Sequence, residues 1–282
     1  MKLLPTSAIS LSIVLWNVWL LPAPITSLPK QRAQHISPLL AGHDIVLLNE
    51  AFTHKDTLRK HAGYNYSVTF DGKNFWPWSL RPVDSGLMIL SKYPFDKVAK
   101  EMYHARGGSD KYASKGVIMV RVTVAGEEVD VYATHMQSER SSKRKATREK
   151  QVVQLAKFIN LHSGTDTSTP NSSAQDTGRR VILAGDMNMG PLTNIALYDW
   201  CYQNEDDKIT RTKAYTHLKE LANLQDAVYD NAYWQQDINR FLVRHVGGVV
   251  KNIRKPTAVI NGKDTELSDS ERYAFEAVIG TS

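Results

Sequence analysis

Four kinds of side chain in this sequence stand where they could do chemistry, each at the end of an apolar run. In Leu183-Ala184-Gly185-Asp186-Met187-Asn188, a carboxylate and a neutral amide sit two residues apart after Arg180-Val181-Ile182-Leu183. A carboxylate so placed can orient or deprotonate a water, and an amide can donate to an oxygen that is gaining negative charge. That combination suits phosphate chemistry, although the same letters also describe a strand followed by an Asp/Asn turn. Glu50 closes the apolar run His43 to Glu50, HDIVLLNE. An acid there is costly unless it is exposed, paired or bound to a cation, so Glu50 is a metal-ligand candidate. Asn17 is the one conspicuous polar residue of SLSIVLWNVWLL, and a buried amide must be hydrogen-bonded. His135 ends EVDVYATH; alone it would read as structural, and its company makes it a candidate.

These residues need elements to hold them. Ser10 to Leu21 reads as a first buried strand, Lys30 to Leu40 as a helix carrying Arg32, and His43 to Glu50 as a second buried strand. Asp84 to Pro94 is a glycine-led strand and turn. Ala113 to Ala125 and Glu128 to His135 alternate with period two and are joined at Gly126-Glu127 as a hairpin. Ser138 to His162 opens with the basic run Lys143 to Lys150 and becomes an amphipathic helix. Ser163 to Gly178 is a low-complexity polar stretch, expected to be a mobile loop. Arg180 to Leu183 is a strand, and Gly185 is read as allowing a tight turn after it. A polar helical section follows, then Leu221 to Tyr229, then a strand at Asp237 to His245 with Asn239 at its mouth. Val246 to Glu266 is read as a glycine- and lysine-punctuated connection, and Tyr273 to Ile279 as the last strand. Many strands interspersed with helices predict a layered α/β or α+β sandwich.

A chain of 282 residues with 42% apolar content can bury a core as one large domain or two small ones. The formal charge of +6 is compatible with an anionic partner, a nucleic acid or a lipid headgroup, and equally with an ordinary soluble surface. The single cysteine, Cys201, excludes an internal disulfide and favours a reducing, cytoplasmic compartment. Leu11 to Leu21 lacks a small-residue cleavage pattern and runs into Pro22, so it is read as a strand rather than a leader. No stretch reaches the roughly 18 to 20 apolar residues of a membrane span.

Taken together, LWNVWLLP (Leu15 to Pro22), LLNEAF (Leu47 to Phe52), SGLMILSKYP (Ser85 to Pro94), GGSDKYASKG (Gly107 to Gly116), ATHMQSE (Ala133 to Glu139), AGDMN (Ala184 to Asn188) and LSDSE (Leu267 to Glu271) resemble the endonuclease/exonuclease/phosphatase superfamily. Within it the chain is most similar to the neutral sphingomyelinase (sphingomyelinase C) branch. The resemblance implies a single domain over residues 1–282 with a DNase I-like fold, a four-layered α/β sandwich of two packed mixed sheets flanked by helices. It implies Mg²⁺, with Mn²⁺ or Co²⁺ as substitutes, held by Glu50 with Asn17 beside it. Asp186 would orient the attacking water, Asn188 would donate to a phosphoryl oxygen, and His135 would contact the phosphate. The substrate class would be a phosphodiester, a lipid headgroup first and a nucleic acid as the alternative. A monomer is expected.

Two positions depart from the family pattern. Asn239 stands where an acid is usual, and Ser270 replaces the histidine of a Ser-Asp-His motif, leaving Asp269 without the imidazole it would orient. A seryl oxygen cannot take a proton near neutral pH as an imidazole can, and losing such a group costs about 10²-fold to 10⁴-fold. The sequence therefore supports three readings: a sphingomyelinase-like phosphodiesterase, a nuclease of the same fold, or a catalytically weak protein that binds phosphodiesters. Bacterial sphingomyelinases enter bilayers through an aromatic hairpin near the C-terminus, and Val246 to Glu266 holds no aromatic residue. Phe75-Trp76-Pro77-Trp78 is the remaining aromatic cluster; it is read first as local packing.

Overall fold

The structure, a computed structural model, describes residues 9–71, 83–138, 142–164, 178–190, 205–229, 239–254, 256–267 and 274–280. Its elements begin with β1 (Ser10–Asn17), α1 (Pro29–Leu39), β2 (Ile45–Asn49), α2 (Lys55–Lys60), β3 (Tyr66–Thr69), β4 (Met88–Ser91) and β5 (Lys97–Met102). A 3₁₀ turn (Gly108–Tyr112) leads into β6 (Gly116–Val124) and β7 (Glu127–His135). Then come α3 (Ser142–Ser163), β8 (Arg180–Asp186), α4 (Glu205–Leu221) and the short β9 (Gln225–Asp226) and β10 (Val228–Tyr229). The chain continues through β11 (Asn239–Arg244), β12 (Gly247–Arg254), β13 (Thr257–Ile260), β14 (Lys263–Glu266) and β15 (Ala274–Gly280).

Among the described residues these strands form two main sheets. The first has the order β10-β12-β15-β1-β2-β4-β3 and the second β5-β6-β7-β8-β11-β9. Both are mixed, because β1 pairs with β2 and β7 with β8 in parallel while their other neighbours run antiparallel. Alternate residues of each sheet meet in the middle. Leu11, Ile13 and Leu15 of β1 share one cluster with Val129, Val131 and Ala133 of β7 and with Phe241 of β11. The outer face of the first sheet (Val14, Trp16, Val46, Leu48) packs on Ala33 and Ile36 of α1 and Leu58 of α2. The outer face of the second (Val117, Met119, Tyr132, Leu183) packs on Leu155 and Ile159 of α3 and Leu218 of α4. Four layers result. With both faces covered, the central strands read as continuous apolar runs rather than as alternation. Each fully buried Leu, Ile or Phe contributes about 1.5–3 kcal/mol.

The expected elements appear with shifted ends. β1 stops at Asn17 rather than Leu21, since Trp19 is left-handed (φ 47°) and its amide donates to Asn17 Oδ1 at 3.2 Å. The hairpin turn is Ala125-Gly126, both left-handed, rather than Gly126-Glu127. Gly185 makes no turn. It lies inside β8, where a Cβ would sit 2.0 Å from Thr134 O, so glycine there admits the close approach of β7. The largest correction is at Val246 to Glu266, which is not a connection. β12 is an interior strand of the first sheet between β10 and β15, and β13–β14 form a hairpin closed by left-handed Asn261-Gly262. That hairpin, TAVINGKDTE, has no aromatic residue. β3 and β5 were not anticipated. Phe75 to Trp78, Asp269, Ser270, Cys201 and residues 165–177 of the polar stretch lie outside the described residues.

Candidate active site

Strand register assembles the site. In the first sheet Asn17 pairs with Asn49, so Glu50 follows Asn17's neighbour at the same edge. In the second, His135 lies beside Asp186 and Asp186 beside Asn239, a single row across β7, β8 and β11. The two edges face each other. Asn17 Nδ2 donates to Glu50 Oε1 at 3.0 Å and to Asp186 Oδ2 at 3.2 Å, joining residues 169 apart in sequence. Asn17 Oδ1 takes the Trp19 amide, which fixes the orientation of the carboxamide.

A second amide holds the sheets together just behind this contact. Asn49 Nδ2 donates to Thr134 O at 2.8 Å, and Asn49 Oδ1 accepts the Asp186 amide at 3.3 Å. Asn49 was read only as one letter of LLNEAF; here it ties β2 to both β7 and β8. Glu50 itself is left-handed (φ 56°), a conformation that costs a non-glycine residue about 1–3 kcal/mol and is found at functional sites. Its carbonyl takes the Leu20 amide at 2.9 Å, and the amide of the next residue, Ala51, donates to Gly86 O at 2.9 Å.

Glu50, His135 and Asp186 are all buried, and one ligand atom from each lies within 4.8 Å of the others. His135 Nε2 is 3.8 Å from Asp186 Oδ2 and 4.0 Å from Glu50 Oε1. Asn188, also left-handed (φ 51°), donates its amide to Asp186 Oδ1 at 3.1 Å and its Nδ2 to Met136 O at 3.1 Å. Asn239 is buried opposite Asp186. Thus Asn17, Glu50, His135, Asp186, Asn188 and Asn239 are brought together, while Asp269 and Ser270 lie outside the described residues. Leu267, two residues before Asp269, has its carbonyl gripped by Arg32 Nε (3.1 Å) and Nη2 (2.6 Å), and the same guanidinium donates to Val18 O at 2.9 Å beside the site.

One residue of the site went unassigned in the sequence. Lys115, buried, lies 3.0 Å from His135 Nε2, donates to Met136 O at 3.0 Å and pairs with Asp110 Oδ2 at 3.0 Å. It belongs to the quoted GGSDKYASKG, but a lysine entering a strand ordinarily reads as surface.

Two carboxylates share one edge of this cluster with neutral amides as neighbours. A hard divalent cation takes such oxygen ligands and keeps several waters, so the donor set fits Mg²⁺. A metal there would be held by Glu50 and Asp186, with Asn17 holding both carboxylates in place. On the opposite edge Lys115 brings a positive charge beside the His135 imidazole, a pairing suited to phosphate oxygens.

The model of the Endonuclease/Exonuclease/phosphatase family matches residues 14–218, well over half of the chain. The chain belongs to this family. Among relatives of known name, this endonuclease/exonuclease/phosphatase protein is 29% identical over 153 residues to Sphingomyelinase C 2 of Leptospira interrogans, covering 46% of the chain and 24% of that protein. It is 25% identical over 189 residues to Sphingomyelin phosphodiesterase 2 of Mus musculus, covering 62% and 40%. The chain thus spans less than half the length of these two curated relatives. Beta toxin of Staphylococcus aureus superposes with a TM-score of 0.70 at 19% identity over 95% of this chain and 99% of that one, a likeness of fold. The expected four-layered architecture and the superfamily are both found, and the similarity runs to sphingomyelinase-like members.

Proposed function

We propose that this protein is a Mg²⁺-dependent phosphodiesterase that hydrolyses a phospholipid headgroup, converting sphingomyelin to ceramide and phosphocholine. The observation that carries this is the convergence of Glu50, Asp186 and His135 from the two sheets on one shared edge. A bound divalent cation would polarise the phosphodiester and stabilise charge on the leaving oxygen. Asp186, its Oδ1 fixed by the Asn188 amide and its Oδ2 by Asn17, is set to accept a hydrogen bond from water and align it for attack. His135, with Lys115 behind it, would meet the phosphoryl oxygens as negative charge builds on them. Asn188 Nδ2, now on Met136 O, would turn to a phosphoryl oxygen, and Asn17 Nδ2 would keep the two carboxylates at the metal.

Asn239 and Ser270 lower the expected rate relative to a family member with the usual Asp and His. The test is phosphocholine release from sphingomyelin in detergent micelles, with Mg²⁺ and with EDTA, by the chain and by Ser270→His. Metal-dependent release by the native chain supports the reading, with another group serving for the imidazole. Release only by Ser270→His would identify an assembled but disabled site, whose native role is binding. The charge of +6 makes a nucleic-acid phosphodiester the second reading. It gains if both proteins are silent on lipid while a plasmid is degraded in an EDTA-sensitive way. With one cysteine, we place the protein in the cytoplasm, acting as a monomer on a membrane face.

A further inference from the structure

The chain's positive excess is not spread over its surface. Residues 104–116 and 143–150 together hold eight lysines and arginines against two acids, Asp110 and Glu149; Lys115 and Arg148 are buried, and the other six are half-buried or exposed. Both acids are engaged, Asp110 by Lys115 and Glu149 by His217.

The fold brings these two stretches side by side and fastens them to the mouth of the candidate site. Asp110 Oδ2 accepts from Gln137 Nε2 (2.8 Å), the Ser138 amide (2.7 Å) and Ser138 Oγ (2.9 Å), so the 3₁₀ turn rests on the segment that leaves His135. Gly107 donates its amide to Gln137 Oε1 at 2.9 Å. A Cβ on Gly107 would sit 1.7 Å from Arg144 Nη1, so a glycine here lets the first turn of α3 lay its guanidinium against this backbone. Arg106 Nη1 donates to Lys111 O at 3.4 Å. Lys111, Lys143 and Lys150 are exposed, and Lys143 and Lys150, seven residues apart on α3, project from one side two turns apart. Tyr112 is 45% exposed, with Lys111 Nζ 4.7 Å from its ring centroid. An exposed Tyr beside lysines has an apolar ring, a polar tip and cations, the combination that sits at a lipid–water boundary.

We propose that this rim, built from the 3₁₀ turn and the first turns of α3, is the surface by which the protein docks on membranes containing acidic phospholipids. It rests on the lipid reading above for the choice of a membrane over a polynucleotide. Cations beside the mouth would hold the enzyme where its substrate lies while leaving Glu50, His135 and Asp186 uncovered. Each lysine near an anionic leaflet is worth about a fivefold change in partitioning, and two about 30-fold.

The test is sedimentation of the full chain with vesicles of phosphatidylcholine alone and with roughly a third phosphatidylserine, at about 0.1 M salt where charges beyond ~10 Å are screened. The native chain is expected to bind the acidic vesicles at least about 100-fold more tightly, and Lys111→Gln/Lys143→Gln to lose about 30-fold of that binding. Hydrolysis of a water-soluble phosphocholine diester should be unchanged in the double variant. Lys97→Gln/Lys263→Gln, which removes the same charge from β5 and β14, should lose less than about threefold. Equal losses in both pairs, or none in either, would overturn the proposal. So would a double variant that loses affinity for duplex DNA and keeps it for vesicles. If vesicle binding behaves as expected but no variant releases headgroup, the catalytic reading fails and the docking surface remains. Headgroup release with binding indifferent to acidic lipid gives the reverse.

Discussion

Strands β7 and β8 bring a buried carboxylate to each end of the second sheet, and the two are treated in opposite ways. Asp130, fully buried toward the start of β7, accepts from Arg121 Nε (2.6 Å) and Nη2 (2.9 Å) and from Ser163 Oγ (2.6 Å), with Arg179 at 3.6 Å. Its charge is met by guanidinium. Asp186, at the end of β8, takes the Asn17 side-chain amide and the Asn188 backbone N–H on its carboxylate, and within 4.8 Å stand a second carboxylate and an imidazole. Those two donors orient the carboxylate beside a second acid, Glu50. A buried acid saturated with cations is a piece of architecture, and a pair of acids steadied by amides is a site.

Four outcomes would break or sharpen this contrast. The largest concerns Glu50→Gln, which keeps the shape and removes one of the paired charges; turnover with Mg²⁺ should fall about 10³-fold while the circular-dichroism melt stays near native. Persistent turnover would show that the paired acids are not the metal site. Asp130→Ala should do the opposite. It strands Arg121 and costs about 3 kcal/mol by urea denaturation, at the lower end for a broken buried pair because Arg121 is partly exposed, with Mg²⁺ affinity unchanged by calorimetry. Third, Mg²⁺ at 100 times its dissociation constant should stabilise the native chain and Asp130→Ala alike by about 2.7 kcal/mol, and Glu50→Gln far less.

The smallest effect belongs to Asp226, a third acid built on the Asp130 plan. Burial pushes its carboxyl up, but Arg240, Lys219 and the Tyr215 hydroxyl together outweigh that and hold it below its ordinary value of 3.8. A depressed folded pKa stabilises the protein in full above about pH 5, and the benefit is lost as pH falls through 3.8 toward the folded value. Asp226→Asn should therefore flatten the acid limb of a plot of melting temperature against pH, and an unchanged limb would place the acid sensitivity elsewhere.

Much of this was legible in the sequence because a polar residue ending an apolar run leaves few interpretations. Glu50, His135 and Asp186 each announce themselves in that way, Asn17 stands out as the polar residue within such a run, and Asn188 follows by spacing. Asn49 did not, since an amide next to Glu50 within the same run gives no sign that it reaches a different sheet. Lys115 was hidden because its partner, His135, is 20 residues away and is met only when β6 and β7 pair. The C-terminal strands were misread for a different reason. β12 changes register between Val250 and Asn252, which breaks the period-two pattern that would have revealed it. The Asn261-Gly262 turn was a hairpin signal, but only the strand before it, TAVI, is apolar, while the strand after it, KDTE, has no apolar residue.

The bridge made by Asn49 also bears on how the protein comes to life. Its bonds to Thr134 and to Asp186 close loops of 85 and 137 residues, and the Asn17–Asp186 contact closes one of 169. Contacts so distant along the chain form late in folding, because closing long loops must precede any gain from them. Either sheet alone would carry only one of the two carboxylates proposed to hold the cation. Metal affinity should therefore appear in step with the final docking of the two sheets during refolding, making the ion a reporter of that last event.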